Sequence, residues 1–162
     1  MKNKLFLMLI VLAAAMSLSG CAGEDVAFAR KTITSLANGR YAARGMIDWT
    51  LLNCQGTDIG AQYKALPDDA QRLDYERAFI DNFRMSFASN KGSGSLNNER
   101  WSMLGTKEDV GLVIARNMKN RKALILVAVK HKSFFQRKVI AIHAIQVADE
   151  QKFEQFCREQ LS

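Results

Sequence analysis

Five side chains have the chemistry to act as nucleophile, metal ligand or proton carrier near neutral pH: Cys21, Cys54, Cys157, His131 and His143. Cys21 follows Leu18-Ser19-Gly20, small residues that would let a peptidase reach the bond before it. Its thiol is a nucleophile that can be converted to a thioether with diacylglycerol. Cys54 and Cys157 have no His neighbour in sequence, so nothing local activates either thiol. His131 and His143 lie at no zinc-type spacing to the cysteines, and no metal site is expected. Gly92-Ser93-Gly94 lacks the Lys and the following helix that a phosphate loop requires. No cofactor is implied, and an enzyme is the minor expectation.

The residues before Cys21 give it a setting. Lys2 and Lys4 form a short positive region, and Leu5 to Leu18 is apolar except for Ser17. That run is shorter than the roughly 20 apolar residues that span a bilayer, and has the length of a secretory signal core. With Leu18-Ser19-Gly20-Cys21 it resembles the signal and lipobox of bacterial lipoproteins. The resemblance implies cleavage after residue 20, two or three acyl chains such as palmitate on Cys21, and a stable membrane anchor. Each buried methylene contributes about 0.8 kcal/mol. Ala22 after the lipidated residue implies sorting to the outer membrane, facing the periplasm. The expected organisation is a signal peptide 1–20, a lipidated residue and short tether 21–24, and one domain 25–162.

Removing Lys2 and Lys4 lowers the formal net charge from +7 to +5, so the remaining chain stays basic. Arg116, Lys119, Arg121, Lys122, Lys130, Lys132, Arg137 and Lys138 form a run without an intervening acid. Such a run attracts anionic lipid, or serves only as solvating charge at hairpin ends. Its two halves fall on turns at opposite ends of a hairpin pair, about 23 Å apart for a seven-residue strand. Screening then makes them two small patches. Nucleic acid is the wrong partner for a periplasmic face. Phe134-Phe135 sits in the second basic turn; one ring could wedge into a lipid interface, or a bulge could turn both onto the core.

The elements that must position these residues change character midway. Helical spacing of Val26, Ala29, Ile33 and Leu36 predicts a helix over 24–38 that stops at Gly39. A short helix is expected over 42–52, a loop at Asn53–Thr57, and a capped helix after Asp58. Pro67 is expected to open the longest helix, to about Ser89, with Leu73, Ile80, Phe83 and Phe87 as its apolar stripe. Four strands follow: Leu96–Leu104, Val110–Ala115, Ala123–Val129 and Val139–Val147. Short connections imply an antiparallel meander. Asp149 would cap a final short helix through Phe153, Phe156 and Leu161.

Helices first and strands second read as α+β. The helical stretch around Ala43–Trp49, the long helix and the strands to Val147 resemble the layout of the nuclear transport factor 2-like superfamily. That resemblance implies a cone-like domain enclosing a pocket, here lined by Trp49, Phe79, Phe83 and His143. In the enzymes of that superfamily an Asp or His in the pocket moves protons, and Asp48 and His143 are the candidates; the alternative is a structural His and a helix cap. By strict alternation His143 should share a face with Val139.

Cys54 and Cys157 are the thiols left after lipidation. In an oxidising compartment they could form a disulfide, or remain two buried free thiols. The reading favoured by the sequence is a non-enzymatic, lipid-anchored accessory or binding module with an envelope protein partner. The alternatives are a carrier or sensor of a small apolar ligand, and a pocket enzyme using Asp48 and His143. The sequence leaves the oligomeric state open.

Overall fold

The computed structural model describes residues 22–89, 96, 99–118, 123–133 and 135–144. Helix α1, residues 22–37, places Ala29, Ile33 and Leu36 at full burial, as their spacing requires. Gly39 ends it with φ +65°, while Gly39 N and Arg40 N donate to Leu36 O and Ser35 O.

The expected helix over 42–52 is a 3-10 turn, Tyr41–Met46. Ile47 then forms a parallel bridge with Val139, and Asp48 N donates to Val139 O at 2.9 Å. Pairing with the sheet edge takes the backbone groups that a longer helix would have used.

The expected loop at Asn53–Thr57 is a hairpin of two very short strands, β1 (Asn53–Cys54) and β2 (Thr57–Asp58). Gln55 and Gly56, both at positive φ, make its two-residue turn. Asp58 caps α2 (Ile59–Lys64) by accepting from Ala61 N at 2.8 Å. Helix α3 is Asp69–Ser89. Asp68 caps it through Gln71 N at 2.8 Å, so Pro67 precedes the cap instead of opening the helix.

Strands β3 (Glu99–Lys107), β4 (Val110–Asn117), β5 (Ala123–Ser133) and β6 (Gln136–Ala144) form the antiparallel meander. β1 adds to β6 in parallel, giving a mixed open sheet of order β2-β1-β6-β5-β4-β3. The fold is α+β, with N-terminal helices on a C-terminal sheet. β5 runs on to Ser133, so much of the expected basic turn is strand. The final helix expected after Asp149 lies outside the described residues.

One sheet face carries the main core, where Val113, Ala115, Val127, Val129, Val139 and Ile142 meet α1 and the aromatic row of α3. Leu112, Ile114, Leu126 and Ala128 are buried on the opposite face, and no described helix contributes to that cluster. A register shift between Ala128 and Val129 leaves Ile140 as an extra residue in β6. Val127 pairs with Ile142 and Val129 with Val139, which puts these β6 side chains on one face although they are three residues apart.

Candidate functional site

Gly111, near the start of β4, faces the helical layer. A Cβ there would lie 2.5 Å from Asp25 Oδ2, so the missing side chain lets the first turn of α1 approach the sheet. Asp25 is 1% exposed. Above it, at the same sheet end, His131 and Arg137 are cross-strand partners on β5 and β6. His131 Nε2 lies 2.8 and 2.9 Å from the two Asp25 oxygens, and Arg137 Nε donates to Oδ1 at 2.7 Å. Arg137 also donates to Glu24.

A carboxylate this deep needs partners, because an unpaired buried charge is strongly destabilising. Burial alone would lower the Arg137 pKa, but the hydrogen bond to Asp25 and the charges of Glu24 and Asp25 outweigh it and raise it above the usual guanidinium value. An Asp–His pair is also how a general base is oriented. Among the described residues, however, no hydroxyl or thiol hydrogen-bonds to the His131 ring, and Arg137 occupies the same carboxylate. The arrangement holds α1 to the sheet.

A second buried acid lies on the β6 edge. Lys132, the extra residue at the register shift between His131 and Ser133, places Nζ 2.7 Å from Asp48 Oδ2. Thr50 donates to Oδ1 through its hydroxyl at 2.7 Å. Burial pushes the Asp48 carboxyl up, but Lys132 and Thr50 prevail and hold it below the usual carboxylate value. In the helical half Glu76 interrupts the apolar stripe, yet it is buried. It accepts from Arg44 Nε at 2.8 Å and Tyr63 OH at 2.9 Å.

A third position differs in kind. Glu99 on β3 is 8% exposed, and burial pushes its pKa up to about 7. Glu99 Oε2 and Trp101 Nε1 are buried polar atoms without a hydrogen-bond partner among the described residues. Trp101 packs on the main core, and Glu99, two residues earlier, shares its face.

Of the expected pocket residues, Trp49, Phe79 and Phe83 do meet. Trp49 and Phe79 are edge to face at 5.4 Å, and Phe79 and Phe83 are 6.3 Å apart, all within the packed core. His143 does not join them. It pairs with Leu126 on the opposite face, because the extra residue in β6 reverses the alternation after Val139. Asp48 and His143 are therefore not a pair; the imidazole that meets a buried carboxylate is His131.

Cys54 is a free cysteine on β1 among the described residues; the disulfide considered for it involves Cys157, which is not one of them. Burial against β6 pushes its pKa up to about 11, and it packs as a small apolar side chain. Cys157 and Cys21 lie outside the described residues. Three residues of the basic run are matched by acids: Lys130 by Asp109, Lys132 by Asp48, and Arg137 by Glu24 and Asp25. Lys138 donates to Gly45 O. Arg116 is half-buried on β4, and Lys119, Arg121 and Lys122 lie outside the described residues.

The clasp on Asp25 escaped the sequence because its members are 106 and 112 residues apart. The available signal was Asp25 itself, a carboxylate one position from the apolar stripe of α1. Among the described residues no group of three or more His, Cys, Asp or Glu could hold a metal ion. No described helix is long and apolar enough to cross a membrane. No family model, curated protein or solved structure matches the chain.

Proposed function

We propose that this chain is a bacterial envelope lipoprotein, held to the outer membrane through acylated Cys21 and facing the periplasm. There it acts as a non-enzymatic accessory or binding module for an envelope protein. One observation supports it beyond the signal and lipobox residues. Residue 22 is already helical, and Glu24 and Asp25 of α1 are clasped by Arg137 and His131. A domain locked to its own first turn beside Cys21 is suited to being held close to a surface, with almost no tether. Three groups that could move protons, Asp25, His131 and Asp48, are engaged with structural partners.

Replacing Cys21 tests the anchor. Wild type should partition into detergent and carry an acyl label, and Cys21→Ser should do neither. Equal partitioning of both, with no label on either, would end this reading. Crosslinking in cells and identification of the captured protein tests the partner.

A second reading, a carrier of a small apolar ligand inside the cone, is favoured by Glu99 and Trp101. Their unpartnered polar atoms face the same layer as Phe83 and Phe87. Such a site would offer one acidic group and one indole N–H to a mainly apolar molecule. Native mass spectrometry of the purified protein should then show a bound small molecule, lost in Glu99→Leu.

A further inference from the structure

We infer that Phe135, at the turn between β5 and β6, inserts into the lipid interface beside the acyl chains on Cys21 and so fixes how the domain faces the membrane. This rests on the lipid-anchor reading.

The first support is position. Arg137 is two residues from Phe135 and reaches both Glu24 and Asp25. Ser133 pairs with Gln136 and His131 with Arg137, so the turn is the continuation of the strands that grip α1. Glu24 is three residues from Cys21, a span of at most about 10 Å. Val110 of β4 pairs with Lys130, so the β3–β4 turn, with Glu108 and Asp109, lies at this same sheet end. An anchor at Cys21 therefore draws this end of the sheet toward the bilayer.

The second support is exposure. Phe135 is 87% exposed, against 46–61% for the other exposed large apolar side chains among the described residues, Tyr41, Leu51, Met85 and Met118. An aromatic ring beside a lipid anchor is placed to bury itself at the boundary of headgroups and acyl chains.

The third concerns charge. Lys130, Lys132 and Arg137 around the turn each face a carboxylate. Lys138 donates instead to Gly45 O; the contact made by the ring is itself apolar, and in neutral lipid it should not depend on salt. One ring adds little to the hold of two or three chains; its effect is orientation.

The test uses the full, processed lipoprotein reconstituted in neutral phosphatidylcholine vesicles, with and without brominated acyl chains. Phe135→Trp adds an indole, and subtraction of wild type removes the emission of Trp49 and Trp101. The added emission should be blue-shifted and quenched at least twofold by brominated lipid, equally at low salt and in 1 M salt. Hydrogen exchange on the unmutated protein gives a second readout: amides 133–137 should be protected in vesicles relative to Cys21→Ser in solution. If acylated protein floats with vesicles while the added indole is unquenched and amides 133–137 are unprotected, Phe135 faces water and the inference is overturned with the anchor intact. If Cys21 carries no acyl group and the protein does not float, the anchor reading and this inference fail together.

Discussion

His131 Nε2 sits 2.8 and 2.9 Å from the two carboxylate oxygens of Asp25, a residue 106 positions earlier and 1% exposed. Arg137 reaches the same carboxylate from the neighbouring strand. Helix α1 and strands β5 and β6 are thus joined through one buried acid.

Neutralising that acid should be expensive. Asp25→Asn leaves Arg137, itself mostly buried, without its main partner. Losing one member of a buried pair typically destabilises by about 3–5 kcal/mol. Urea unfolding of residues 22–162 should show a loss of that order. Replacing both partners with apolar residues, as in Asp25→Leu with Arg137→Met, should recover part of it. A change below about 0.5 kcal/mol in Asp25→Asn would mean the clasp adds nothing to stability.

Gly111→Ala should weaken the fold through the same acid. The new methyl would lie 2.5 Å from Asp25 Oδ2 and 2.7 Å from Met103 Cε. Met103 can turn away, but the carboxylate is held by two side chains. A loss of about 1–3 kcal/mol is expected for such overpacking. The effect should shrink when Asp25 is already Ala, because the two positions are coupled. Equal losses in both backgrounds would show that the clash lies elsewhere.

Glu99 should make stability fall as pH rises through neutrality. Its ordinary pKa of 4.5 is raised to about 7 in the fold by burial. Between these values the native state holds a proton that the unfolded chain has released, so stability declines with rising pH and levels off above about 7. Glu99→Gln stays neutral throughout. It should match wild type near pH 4 and exceed it at pH 8 by about 1–3 kcal/mol, on the scale of 1.36 kcal/mol per unit. Parallel pH profiles for the two proteins would contradict this.

Cys54 should react slowly while the protein is folded. With its pKa pushed up to about 11, only about one thiol in a thousand is ionised at pH 8. In residues 22–162 carrying Cys157→Ser, iodoacetamide should label Cys54 at least tenfold faster in urea than in buffer. Similar rates would place the thiol in contact with water.

The sequence alone determined what depends on near neighbours along the chain. The spacing of Ala29, Ile33 and Leu36 makes α1 amphipathic, and Gly39 stops it because glycine, lacking a Cβ, adopts φ +65° at least cost. Asp58 and the Val- and Ile-rich runs of β4 to β6 were equally legible, as was the α+β order. Tertiary structure decided the rest. Pairing Asp25 with His131 and Arg137 requires the register of two strands, and no local pattern encodes a register. Ile140 shows why the candidate pocket was misread: one extra residue in β6 reverses the period of two, so His143 faces away from Val139 and from Trp49. The short β1 has no pattern to read in two residues; it becomes a strand because the edge of β6 offers unpaired backbone groups to Asn53 and Cys54.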